Sequence, residues 1–216
     1  MKRMGRWEPN ARGRLEQAAW ELFKERGYTQ TTVEDIAARA GLTERTFFRH
    51  FADKREVLFW GAGVLQKAIV DAIADAPLTS APLDAVAAAL EAAAGVLQPR
   101  QEYARARQTL IGAHAELQER ESIKLRSIAT AVADALRSRG VAESAATLTA
   151  EAGVTVFKVA FERWIEDRKP RDLAQHIRTT LKELKAVTGV MRAATSKSRI
   201  IKASRRKSPR ARSISQ

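Results

Sequence analysis

The chain has no cysteine, so it can form neither a disulfide nor a thiolate metal site. That absence suits a reducing compartment, and a cytoplasmic location is expected. Histidine is almost as scarce. His50, His114 and His176 are the only three, and none has a partner at the His-x-x-x-His or Glu-x-x-His spacing, so zinc-protease and di-iron sites lack their ligands. There is no phosphate-cradling P-loop and no Gly-x-Ser-x-Gly elbow. GAGVLQ at 61–66 has the first two glycines of a dinucleotide loop, but Gln66 replaces the third and no strand precedes it. With no catalytic pair in view, the chain is read as no enzyme, with no metal and no cofactor. Long apolar runs are missing too. The most apolar, LDAVAAALEAAAGVL at 83–97, is short and carries Asp84 and Glu91, so it reads as a packing helix and no membrane partner is expected. The N-terminal MKRMGRWEPNAR is basic but lacks the apolar centre of a signal peptide.

Strands are also missing from the pattern: no segment alternates at period two for long, and no internal repeat appears. Alanine-rich segments with few β-branched runs, and an aromatic content of 6%, point to an all-α protein. The length, 216 residues, allows one or two domains with a buried core.

What the chain has in excess is positive charge. A formal +13 favours a polyanionic partner. Nine of those charges lie in 192–216, which contains no acid, leaving +4 for the rest. This stretch has too little apolar content to fold alone and is expected to be a disordered basic tail, residues 191–216. Two readings of it are open, an extension that clings to nucleic acid and a solubilising end without a role.

Residues 31–60, TTVEDIAARAGLTERTFFRHFADKREVLFW, carry the most information. Ile36, Ala37 and Ala40 form an apolar stripe at helical spacing, Gly41 breaks the helix and Leu42 plugs the turn. Thr43 can cap a second helix, on which Phe47 and Phe51, four apart, share the inward face. Asp53 followed by Glu56 is a capping-box variant that opens the next helix. The unit is a helix-turn-helix, which presents a helix to the major groove of double-stranded DNA. Thr43, Arg45, Thr46 and Arg49 stand off the Phe47/Phe51 stripe, where arginine can meet a guanine edge and threonine a thymine methyl or a phosphate. Thr31, Thr32, His50 and Lys54 lie at helix ends, where phosphates are commonly met. Each threonine can equally be only a cap, and each charge only part of a solvated face.

The stretch closely resembles the N-terminal domain of TetR-family transcriptional regulators, which has three helices followed by a long connecting helix. The matching first helix is ARGRLEQAAWELFKERGY, 11–28, with Leu15, Ala18, Ala19, Leu22 and Phe23 as its buried stripe and Gly27 as its stop. TTVEDIA and TFFRHFADK both fit the family pattern. Phe48 departs from it: many members have a tyrosine there whose hydroxyl meets a phosphate, and Phe48 leaves only apolar contact with a sugar or methyl group. The close resemblance covers 11–60; beyond it only the helical layout matches.

The resemblance implies a DNA-binding domain, 1–53, and a helical effector-binding and dimerisation domain, 54–190. Cutting at the breakers gives helices over 54–76, 83–97, 101–119, 122–139, 143–168 and 172–187. In the resembled family the last two helices pair with their copies in a homodimer. Val156, Ala160, Phe161 and Trp164 line one side of the first here, and Leu173, Ile177, Leu181 and Leu184 line the second. An intrachain core would satisfy these residues equally well. Family members often hold a small-molecule effector among the middle helices and leave DNA when it binds. The candidates are Trp60, Val64, Leu97, Tyr103, Arg107, Leu110, Ile111, His114, Val132 and Phe157, with Arg107 and His114 on roughly one helix face as partners for an acidic group. The expected function is a repressor released from its operator by a small effector. The alternative is a basic architectural protein that binds DNA with little sequence preference.

Overall fold

The computed structural model describes residues 10–168 and 172–204, with 190–204 as backbone alone. It is all-α, an N-terminal helix-turn-helix unit joined to a helical C-terminal domain, with no strand among the described residues. The N-terminal unit holds α1 (Ala11–Arg26), α2 (Val33–Arg39) and α3 (Glu44–His50). There follow α4 (Glu56–Phe59), α5 (Gly61–Asp75), α6 (Pro82–Leu97), a single 3-10 turn over Gln98–Arg100, α7 (Gln101–Gly112), α8 (Ala115–Ser138), α9 (Glu143–Glu166) and α10 (Leu173–Ser204).

Local chemistry sets the boundaries of the first unit. Asn10 caps α1 by accepting the Gly13 N–H at 3.1 Å. Thr32 and Asp35 form a reciprocal capping box at the start of α2. At Gly41 the backbone turns left-handed (φ 65), which suits glycine, and the Leu42 N–H then bonds the Ala37 carbonyl at 2.8 Å. Arg14 of α1 reaches across to donate to the Ala40 carbonyl, holding the turn from behind. Phe47 and Leu15 are both fully buried, packed with Leu22, Phe23, Ile36 and Phe51. Ile111 of α7 and Leu117 of α8 belong to this same core, so the N-terminal unit is seated on the C-terminal domain through shared apolar packing.

The second core lies among α5, α6, α8, α9 and α10 and is rich in alanine. Small side chains let these helices approach closely. The tightest point is Gly153 of α9, where a Cβ would stand 2.5 Å from Val86 Cγ1 of α6.

Four boundaries differ from the sequence reading. The expected helix over 54–76 is two helices. Trp60 keeps helical dihedrals (φ −60, ψ −34), but the hydrogen bonding breaks there, and the Gly63 N–H reaches the Trp60 carbonyl at 3.4 Å across three residues. Gly61 and Gly63 make a uniform helix costly at this point. The break expected near 120 lies instead at His114, which is extended (φ −134) and opens α8. Ser122 does not begin a helix: its hydroxyl donates to the Gln118 carbonyl one turn back, inside a continuous helix. The helix over 172–187 does not stop at Gly189; as α10 it continues to Ser204, so the backbone of 191–204 is helical where a disordered tail was expected. Residues 205–216 of that tail lie outside the described residues. The Asp53/Glu56 box is only half formed. Asp53 accepts the Glu56 N–H at 3.2 Å, but the Glu56 carboxylate turns to α8.

One run, Glu56–Asp75, is long and apolar enough to cross a membrane by length and composition, with a mean hydropathy of 1.5. Here it is broken at Trp60, and Leu65, Ile69 and Ile73 are buried in the second core.

Candidate functional site

The first candidate surface is the exposed side of α3. Thr43 caps the helix by accepting the Thr46 N–H at 3.2 Å, and the two hydroxyls lie 3.1 Å apart, so both threonines are tied to the cap. With Phe47 driven inward, Arg45, Phe48 and Arg49 are turned to solvent. Neither arginine has an ion-pair partner among the described residues, so both are available to an external anion or base edge. Thr32 is exposed at the start of α2, where its hydroxyl is 2.8 Å from Asp35 Oδ2.

Three expected DNA contacts are placed differently. Thr31 is 1% exposed, and its hydroxyl donates to the Gly27 carbonyl at 2.9 Å; it fastens the end of α1 and cannot reach a phosphate. The Lys54 ammonium points inward, donating to the carbonyls of Tyr28 at 2.8 Å and Thr31 at 2.9 Å and lying 4.1 Å from the Tyr28 ring centre. Burial draws its pKa below the usual lysine range. Lys54 is thus a clamp between the α1–α2 loop and the start of α4. His50 has a buried Nε2 with no hydrogen-bond partner. Burial, then Arg49 and Arg12, hold its pKa below the usual imidazole range, which disfavours the charged form.

The second candidate is a cavity of about 580 Å³ walled by α4 to α9. Trp60, Val64, Leu97, Tyr103, Arg107, Ile111 and Phe157, all candidates named from the sequence, line it. Phe161 also lines it, although it was assigned to a dimer face. Leu110, His114 and Val132 are not in the wall. Leu110 packs into the N-terminal core, Val132 is buried in the second, and the His114 ring lies 4.9 Å from that of Tyr28. Arg107 is not free to meet a ligand. Its Nε donates to the Leu58 carbonyl at 2.7 Å, its guanidinium lies 4.8 Å from the Phe59 ring centre, and Glu121 stands 3.4 Å away. It holds α4 against α7 and α8.

Sequence reasoning missed the partner of that hold. Glu56 of α4 takes Arg120 and, at 2.9 Å, Lys124, both from α8. Lys124 also lines the cavity. The local signal at Glu56 was its place after Asp53; nothing in the sequence announces a partner more than sixty residues away.

The expected dimer residues are also corrected. Trp164, Leu173 and Ile177 are all 0% exposed inside the second core, and Leu181 packs against it. What α9 and α10 leave uncovered is a different stripe, with Leu148 71% and Val187 70% exposed. Where α9 meets α10, His176 Nε2 stands 3.2 Å from Asp167, both nearly buried, beneath a polar hollow that Arg163 and Glu183 also line.

A helix-turn-helix with a solvent-facing arginine pair on α3, resting on a helical domain that holds a cavity, is the architecture of a DNA-binding regulator. The comparisons with known proteins agree. Residues 16–59 match the model of bacterial regulatory proteins of the tetR family, and residues 80–189 match the MftR C-terminal domain. The chain belongs to the TetR family of transcriptional regulators, with a C-terminal domain of the MftR kind. Among curated proteins it is 40% identical over 84 residues to the transcriptional regulator TcmR of Streptomyces glaucescens, covering 39% of this chain and 37% of that one. It is 39% identical over 59 residues to the putative mycofactocin biosynthesis regulator MftR of Mycobacterium tuberculosis, covering 27% and 29%. The chain thus matches about a third of the length of these relatives. Among solved structures it resembles SmeT in complex with triclosan (TM-score 0.58, 22% identity, 82% of this chain and 90% of that one). It also resembles FadR of Bacillus subtilis in complex with stearoyl-CoA (TM-score 0.55, 18% identity, 79% and 95%). Both show the shared fold.

Proposed function

We propose that this regulator is a homodimeric, sequence-specific repressor that a largely apolar small molecule releases from its operator. The observation that carries the proposal is the wall shared by the cavity and the DNA-binding unit. Leu58 and Phe59 of α4 and Trp60 just after it line the cavity, and Leu58 and Phe59 are at the same time part of the N-terminal core. Arg107 and Lys124, which hold α4 in place, line it as well. A ligand seated against Trp60 and Phe157 therefore presses on the element that sets the pose of α3. A dimer reads two half-sites at a fixed separation, so a small change of pose lowers affinity. The ligand must bind the released state more tightly, since equal affinity for both states shifts nothing. With Arg107 committed to α4, an acidic group on the ligand would meet the exposed Arg100 or Lys158 at the rim.

Selection of bound duplexes from random DNA, followed by a thermal-shift screen and operator-release assays, tests the proposal. A strong preference for one sequence at physiological salt is expected; equal binding to all duplexes would favour the architectural alternative. Compounds that stabilise the protein should weaken operator binding, and Glu56→Gln should keep compound binding while reducing that weakening severalfold. Ligands that never alter operator affinity would sink the coupling route.

A further inference from the structure

We propose that Phe48 is a specificity-determining residue whose ring reads the 5-methyl group of one thymine in each operator half-site. The assignment rests on α3 being the helix that enters the major groove. Phe48 is 54% exposed and is the only aromatic among the large hydrophobic side chains exposed in the described residues. It is placed at the centre of the outward face of α3, with Arg45 three residues before it and Arg49 directly after. Its ring stands edge-on to that of buried Phe47, centroids 5.5 Å apart at 83°. The core thus supports the exposed ring from behind and fixes where it projects.

The chemistry narrows what such a ring can recognise. It has no hydroxyl, so it can neither donate to a phosphate nor accept from a base. Guanine, cytosine and adenine carry no methyl in the major groove; thymine alone adds one. A phenyl ring covering that methyl removes both from water, whereas set against any other base edge it would desolvate a polar group without replacing its hydrogen bond. The two free arginines beside it can take guanine edges or phosphates. The face therefore fits a half-site in which a thymine is flanked by contacts to Arg45 and Arg49.

The experiment uses the full chain and the operator obtained by selection, at one fixed salt concentration. Each thymine is replaced in turn by deoxyuridine, which removes only the methyl. One thymine per half-site should weaken binding about fourfold on replacement, equivalent to about 0.8 kcal/mol for one buried carbon. Phe48→Ala should bind the thymine and deoxyuridine duplexes equally, and Phe48→Leu should keep part of the difference. Because the residue is exposed, the Ala variant should unfold within a few degrees of the parent, which a melting curve checks. If no thymine is methyl-sensitive, or if the sensitivity survives in Phe48→Ala, the ring lies against a sugar or outside the groove and the assignment is wrong. A chain that selects no sequence at all would overturn the operator reading and Phe48 with it; selection without methyl dependence overturns Phe48 alone.

Discussion

The two cores of this molecule are built from different materials. Among the described residues, five of the fifteen buried residues of the N-terminal core are aromatic: Phe23, Tyr28, Phe47, Phe51 and Phe59. In the second core only Trp164 of twenty-one is aromatic, and eight are alanine. Rings of fixed shape interlock in few ways, so the first core specifies one arrangement of short helices and holds α3 rigidly. Alanine faces let long helices approach closely but fill little space between them. The cavity that runs from Trp60 to Phe157 lies where the two cores meet. The reading surface rests on the rigid part, and α4 stands between it and the cavity.

The largest expected effect tests this difference directly. Phe47→Ala removes a fully buried ring from the N-terminal core and should cost about 3–5 kcal/mol of stability, abolishing DNA binding at ordinary temperature. Phe157→Ala removes the same atoms from a half-buried position on the cavity wall, where the neighbours already face a void, and should cost less than about 1.5 kcal/mol. Urea unfolding of both variants decides it; similar costs would mean that the second core is packed as tightly as the first.

The same contrast explains what the sequence could reveal. Thr32, Gly41, Thr43, Phe47 and Phe51 declare the helix-turn-helix because caps, a left-handed turn and an aromatic stripe are local signals. The cavity was legible in part, through Trp60, Val64, Leu97, Tyr103, Arg107, Ile111 and Phe157, but the roles of its residues were not. Arg107 is a structural hold on Leu58, and His114 belongs to the seam with Tyr28. In α7 and α8 the sequence suggests a break between 119 and 122, and only tertiary packing reveals that one helix runs through it. Trp164 and Ile177 look the same on a helical stripe whether they face their own chain or a second copy; periodicity gives the direction of an apolar face and not its partner. Lys54 was read from its position at a helix end, whereas its side chain turns toward two carbonyls of a loop more than twenty residues earlier.

A second, smaller effect concerns what covers the outside of the alanine-rich domain. Leu148, with Ala152, Thr155 and Val159 following at spacings of four, three and four, forms one stripe on α9, and Leu148 is far more exposed than a lone surface leucine needs to be. Val187 on the adjacent α10 is exposed in the same degree. If these helices meet their copies, Leu148→Arg places a charge in the interface and should give a monomer by sedimentation. Operator affinity should then fall on the order of a hundredfold, about 2.7 kcal/mol, because one half-site is read alone. Trp164→Phe, a change confined to the interior, should leave the dimer intact. A Leu148→Arg variant that remains dimeric would move the interface to another face.

The smallest expected effect lies at the seam between the two regions. Glu16 of α1 is half-buried, and its Oε1 is buried without a hydrogen-bond partner. Arg12 stands one turn back on the same helix, and Arg100 comes from the turn before α7. Burial outweighs both arginines and pushes the carboxyl up to about 7 from 4.5. The sign follows from proton counting. Between those two values the folded chain holds a proton on Glu16 that the unfolded chain has released, so stability is highest on the acid side and declines as pH rises toward 7. Water reaching the exposed half of the side chain screens the charge, and the loss should be about 1 kcal/mol, smaller than the shift alone would suggest. Glu16→Gln keeps the shape and removes the charge. At pH 5 it should melt with the parent, and at pH 8 it should melt about 2–4 °C higher. A variant that melts with the parent at both values would mean that Arg12 and Arg100 already neutralise the carboxylate. The seam would then be held by the aromatic contact of Trp20 with Tyr103 and by the shared packing of Ile111 and Leu117.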